Sequence, residues 1–212
     1  MPLDAILVKC EQSPAHPHDT LRGVAQAAKL DCRAISVHAA LEGRLIYAYA
    51  WLAAPEPDET GTLARFAQAL RRVSGAAWSD VAIIPLQLLL DLPGASAGET
   101  PIYHYVVETG VDADHERDFN DWYDVEHLPG LTAVPGCVRA RRLRSVERSR
   151  GRAVYVACYD LVTESALTSE AWLAVRRTAW SDRVRPRFRD TTRTVFRTIA
   201  QIHADISPAR SD

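Results

Sequence analysis

Ala77-Trp78-Ser79-Asp80 returns as Ala179-Trp180-Ser181-Asp182, and each copy follows the second helix expected in its half of the chain. Four residues can recur by chance, but their equal place in two identical runs of elements makes duplication the better account. In the first run Asp4 to Cys10 is rich in Ile, Leu and Val, which predicts a strand, and His18 to Leu30 sets Leu21, Val24, Ala25 and Ala28 at helical spacing. Cys32 to Leu41 and Arg44 to Ala53 read as a hairpin around the turn signal Glu42-Gly43. Thr62 to Val73, with Leu63, Phe66, Ala67 and Leu70 on one face, predicts a second helix, and Val81 to Leu90 a closing strand interrupted by Pro85.

After Leu92 to Pro101, rich in Gly, Pro, Ala and Ser, the same order begins again. Ile102 to Glu108 is expected as a strand and Asp114 to Leu128 as a helix. Cys137 to Ser145 and Ala153 to Leu161 form a hairpin. Ser165 to Thr178 is a helix with Leu167, Ala171, Ala174 and Val175 inward, and Thr191 to Ile202 closes the half. The fold class is therefore α+β: two fused ferredoxin-like βαββαβ repeats that pack sheet to sheet as an internal dimeric α+β barrel, because each unit covers one sheet face with helices and leaves the other needing a partner. Expected boundaries are an N-terminal scaffold repeat over 1–92, a linker over 93–100, a C-terminal repeat carrying the site over 101–205, and a tail over 206–212.

Composition excludes several classes. Net charge is −2 and pI about 6.4, so no basic field recruits nucleic acid or membrane. No stretch approaches the length that spans a bilayer, the N-terminus lacks a leader pattern, and a cytoplasmic location is expected. Cys10, Cys32, Cys137 and Cys158 have no metal-type spacing and read as reduced, mostly buried thiols. Metal ligation has no HExxH or CxxC pattern behind it, and no phosphate loop or nucleophile elbow is present.

The stretch FNDWYDVEHLPGLTAVPG, Phe119 to Gly136, is the least generic part of the chain. On a helix, Phe119, Trp122, Tyr123, Glu126 and His127 fall three and four apart and share a face. Leu128-Pro129-Gly130 is expected to break that helix and leave His127 in its last turn, where the dipole favours the imidazolium unless burial opposes it. An ordinary core helix ending in a local polar cap has the same spacing.

The motif W-Y-x-x-E-H-L-P followed by V-P-G-x-x-x-A-R-R, carried here by Trp122, Tyr123, Glu126, His127, Leu128, Pro129, Val134, Pro135, Gly136, Ala140, Arg141 and Arg142, resembles the EthD-like branch of the dimeric α+β barrel superfamily. The match is good over the first helix and second strand of the second half, and the first half lacks the motif. The resemblance implies one site per chain and a broad range of chemistry: cofactor-free monooxygenases, lactone isomerases, polyketide cyclases and haem-dependent enzymes.

His127 is the candidate acid–base group, Asp124 its orienting carboxylate three residues earlier, Tyr123 an oxyanion donor, and Glu126 a neighbouring carboxylate. Phe119 and Trp122 form an apolar wall. His104 sits on one face of its strand with Ile102 and Val106, either as a satisfied core histidine or lining a pocket. Among the arginines around the second hairpin, alternation sends either Arg142 and Arg144 or Arg139 and Arg141 inward, and an inward arginine needs an anion. Arg142 and Arg144 are the substrate-binding candidates. The expected function is cofactor-independent proton transfer, as isomerase, cyclase or lyase, on a lactone, phenolic or polyketide-like substrate. The alternatives are an oxygenase, with haem or without a cofactor, and a binding protein. A small molecule is the expected partner, with a homodimer as a further assembly.

Overall fold

Eight strands, each antiparallel to its neighbours, close on themselves in the order β1-β3-β2-β8-β5-β7-β6-β4. They are β1 (Leu3–Cys10), β2 (Cys32–Ala40), β3 (Ile46–Glu56), β4 (Val81–Pro93), β5 (Tyr103–Val111), β6 (Cys137–Ser145), β7 (Ala153–Leu161) and β8 (Phe188–His203). This computed structural model describes residues 2–11, 16–74, 81–147, 149 and 151–203; the first Ala-Trp-Ser-Asp copy and the expected tail lie outside them. Each half has the expected βαββαβ order. The halves meet edge to edge, β2 on β8 and β4 on β6, so the inner faces of both sheets enclose one interior.

Period-two alternation then sorts the apolar residues into three cores. Inside the barrel lie Leu7, Tyr49, Leu86, Val106, Leu143, Cys158 and Phe196. Outside the first sheet, α1 (Pro17–Ala27) and α2 (Glu59–Ser74) pack Leu21, Val24, Phe66 and Leu70 against Ile6, Val8 and Val37. Outside the second, helices from α3 (Ala113–Trp122) onward cover Ala140, Ala157, Tyr159 and Leu161. Burying each large apolar side chain contributes about 1.5–3 kcal/mol. Gly43, at φ 82°, makes the β2–β3 turn that the sequence signals. The stretch between the halves is tied down: Gly94 N–H donates to Val138 O, and a Cβ on Gly94 would stand 2.1 Å from Cys137 O.

Two helix expectations need correction. Leu128-Pro129-Gly130 does not end the motif helix. A π-helical turn, Tyr123–His127, follows α3 and leads into α4 (Leu128–Thr132), with proline in the first turn of α4. The wider turn accommodates a residue that donates no N–H and crowds the carbonyl four residues back. Gly130 is needed for closeness instead of for turning, since its Cβ would stand 2.8 Å from Val175 Cγ1.

Nor is Ser165 to Thr178 one helix. A 3₁₀ turn over Glu164–Thr168 precedes α5 (Glu170–Val175), and Ser169 Oγ caps α5 by accepting from Trp172 N. Ala171 and Ala174 are exposed, and Trp172 takes the core position. The second Ala-Trp-Ser-Asp copy lies in α6 (Ala179–Val184), capped by Thr178, where Trp180 Nε1 donates to Asp118 Oδ1 and fastens α6 to α3.

Candidate functional site

At one mouth of the barrel, inward alternation gathers ionisable groups from strands of both halves. His104 on β5 points inward, buried, with Nδ1 2.7 Å from Asp160 Oδ1 on β7. The other carboxylate oxygen of Asp160 accepts from Arg141 Nη1 on β6 at 2.9 Å. The Arg141 guanidinium lies 4.6 Å over the Trp51 ring, and Trp51 Nε1 donates to Ser36 Oγ at 3.2 Å. His38 stacks on His104 with ring centroids 3.9 Å apart, its Nδ1 3.1 Å from Thr198 Oγ1. Tyr49 O–H lies 3.4 Å from His104 Nε2 and forms the floor.

This cluster opens on a cavity of about 230 Å³, lined by Arg33, Ser36, His38, Trp51, Arg141 and Asp160 among others. Burial opposes the Asp160 carboxylate, yet the hydrogen bond to His104 and the positive charge of Arg141 outweigh it and hold the acid well below the usual range. Burial, seconded by His104 and Arg141, pushes His38 well below the usual imidazole range against the pull of Asp160. His38 is therefore neutral at neutral pH. Its Nε2 makes no protein hydrogen bond among the described residues.

The opposite mouth has a cavity of about 420 Å³, but its inner groups satisfy one another. Lys9 pairs with Glu108 at 2.6 Å, and Tyr47 O–H donates to the same carboxylate at 3.0 Å.

The motif residues lie on the other side of the second sheet, beneath the helices. Phe119, Trp122, Tyr123 and His127 do come together: His127 stacks on Trp122 at 4.1 Å and meets Tyr123 edge-on at 5.4 Å. The space beside them is about 30 Å³, room for water-sized groups and not for a substrate. Burial first, then Arg176 and Arg185, pulls the His127 pKa down to about 3, so burial does oppose the imidazolium and the ring is neutral, inside a helix that runs on to Thr132. Asp124 does not orient it; Asp124 Oδ1 accepts from Arg142 Nη1 at 2.7 Å, and His127 Nδ1 is buried without a partner. Glu126 accepts from Thr178 Oγ1 at 2.6 Å.

The arginine pairs also sort by alternation, opposite to the choice made from sequence. Arg141 faces the barrel interior with Arg139 beside it at the mouth. Arg142 points to the helices, fully buried among Phe119, Tyr123 and Tyr155, and Arg144 bonds Gln87.

The chain matches no protein-family model and no curated protein. Among solved structures it is similar to an anthrone oxidase-like protein, at 13% identity and TM-score 0.66 over 100% of this chain and 97% of that one. A candidate monooxygenase from Lactobacillus acidophilus superposes with TM-score 0.61 at 9% identity, over 96% and 97% of the two chains. The haem complex of a DypB variant from Rhodococcus jostii gives TM-score 0.55 at 9% identity, over 93% and 94%. The fold is the dimeric α+β barrel, fused within one chain. At these identities the likeness concerns the barrel and carries no activity with it. The space of about 30 Å³ and the mouth of about 230 Å³ are both below the roughly 300–1,000 Å³ that drug-sized ligands occupy.

From the sequence, Arg141 figures only in the motif and in one of the two alternative inward pairs, and His38, Asp160, Trp51 and Ser36 are not singled out. A signal was present: His38 and Asp160 are ionisable residues in largely apolar strands, CRAISVHAA and AVYVACYDL, on the same alternation phase as Ser36 and Cys158.

Proposed function

We propose that the chain is a cofactor-independent enzyme that moves a proton on a compact small-molecule acid or phenol at the barrel mouth. The observation that carries this reading is the cluster of His38, His104, Asp160 and Arg141 on a cavity of about 230 Å³. His38 is the general base, because its neutral ring lines the cavity and, with Nδ1–H donating to Thr198 Oγ1, leaves Nε2 to accept. The Asp160 carboxylate, reached through the stacked His104, stabilises the imidazolium that proton removal creates. Arg141 holds the developing anion and Trp51 supplies an apolar wall. The cavity lies below the roughly 300–1,000 Å³ of drug-sized ligands, which favours a one-ring lactone, phenol or keto acid over a polycycle. Isomerase, cyclase and lyase outcomes all start from this step.

A cofactor-free oxygenase is the second reading, favoured by the anthrone oxidase-like and monooxygenase names of the structural neighbours. It shares the deprotonation and differs in consuming oxygen. The test is proton–deuterium exchange by NMR in D₂O over a panel of such one-ring acids, with an oxygen electrode in parallel. His38→Gln is expected to slow exchange by about 10²–10⁴. Full exchange by His38→Gln would remove this base from the mechanism, and oxygen uptake coupled to substrate loss would select the oxygenase.

A further inference from the structure

We infer that the slot between the second sheet and the helices after α3 is a separate binding site for a small oxyanion, a carboxylate or phosphoryl group, held by Arg176, Arg185 and Arg193. The three come from different elements: Arg176 ends α5, Arg185 follows α6, and Arg193 lies on β8. All three line the space beside Tyr105, Trp122 and His127.

What sets them apart is their lack of carboxylate partners. Arg177, Arg183, Arg187 and Arg189, in the same stretch of chain, each have a carboxylate within 4.0 Å. Arg176, Arg185 and Arg193 have none among the described residues, and Arg185 instead donates to the Arg176 carbonyl at 3.3 Å. Asp182 is the acid whose field Arg185 feels, but it forms no ion pair with it. Three converging guanidiniums repel one another, and planar N–H forks of this kind match the oxygens of a carboxylate or phosphate.

A second observation concerns residues of the same slot. His127 Nδ1 and Trp122 Nε1 are both buried without hydrogen-bond partners, on residues more than nine-tenths buried, and both rings line the space of about 30 Å³. Unpaired buried donors are uncommon because they forfeit their hydration, and Trp Nε1 can only donate. An oxyanion at the arginine rim supplies the counter-charge with which none of the three guanidiniums is paired. Burial and the two neighbouring arginines already push the Arg185 guanidinium below its usual range, against the opposing pull of Asp182, as expected where positive charge is concentrated. The inference does not depend on the acid–base reading of the barrel mouth, which lies on the other face of the sheet.

The experiment is calorimetric and thermal titration of the full chain with sodium acetate and sodium phosphate, against sodium chloride at equal ionic strength. Saturable stabilisation by acetate or phosphate beyond chloride is expected, and the stronger of the two identifies a carboxylate or a phosphoryl ligand. Arg185→Gln and the more exposed Arg193→Gln should each weaken that binding at least about tenfold, the loss of one charge-assisted contact. Arg185→Gln should also melt no lower than wild type without oxyanion, because repulsion is relieved. Arg197→Gln, exposed on β8 outside the slot, should bind like wild type. Equal effects of all three salts, or an unchanged oxyanion response in both Arg185→Gln and Arg193→Gln, would overturn the assignment.

Discussion

His127 shows how far burial can reverse what a residue's local position suggests. The helix end expected there would favour imidazolium, but the helix runs on through α4, and desolvation in the aromatic cluster and the nearby Arg176 and Arg185 bring the pKa from 6.5 to about 3. The folded state therefore resists protonation where the unfolded chain accepts it. Stability contributed by the neutral ring is fully present above about pH 6.5 and is lost as pH falls from there toward 3. His38, also depressed, acts in the same sense. In His127→Phe one of the two contributions is gone, so the drop in melting temperature between pH 7.5 and pH 4.5 should be smaller than in wild type. Equal drops would mean that His127 is not held neutral. His127→Phe should also retain the exchange activity ascribed to the barrel mouth.

At the scale of elements, the π turn and α4 show that the motif segment is built for packing. Proline enters the helix where the turn widens, and Gly130 lets α4 approach α5 within a distance that forbids a Cβ. Gly130→Ala gains about 1 kcal/mol of helix propensity. Against that, Val175 is β-branched with essentially one helical rotamer, and overpacking costs about 1–3 kcal/mol. A net loss of about 1 kcal/mol is expected in urea denaturation. In a Val175→Ala background the sign should reverse, because both crowding methyls are gone. The same segment pairs Asp124 with the buried Arg142, so the carboxylate chosen from spacing as a partner for His127 instead neutralises an arginine under the helices.

For the whole molecule, closure is what creates a mouth. The two edges of each sheet are consumed by the pairings β2–β8 and β4–β6, and the interior is shared between the repeats. A fragment spanning 101–203 would bare Val106, Leu143, Val156, Cys158 and Phe196 together with the edges β6 and β8. Such a fragment should self-associate, since open apolar sheets with free edges recruit partners. Light scattering that found a stable monomer would contradict this account of the barrel.

The sequence by itself determined the element order, the two repeats and the hairpins, because alternation, helical spacing and turn residues are local signals: β6 and β7 lie where that pattern puts them. It also placed Phe119, Trp122, Tyr123, Glu126 and His127 on one face, and all but Glu126, which accepts from Thr178, meet in the aromatic cluster. The tertiary structure alone decided which face of each strand becomes the interior. Period two says that Arg141 and Arg142 oppose each other, but only closure against the first half says that Arg141 meets Asp160 while Arg142 goes under the helices. The pairing of His38 with His104 spans the two repeats, and the convergence of Arg176, Arg185 and Arg193 depends on three elements meeting over one sheet. Such contacts are long-range and set by strand order, which no window of neighbouring residues records.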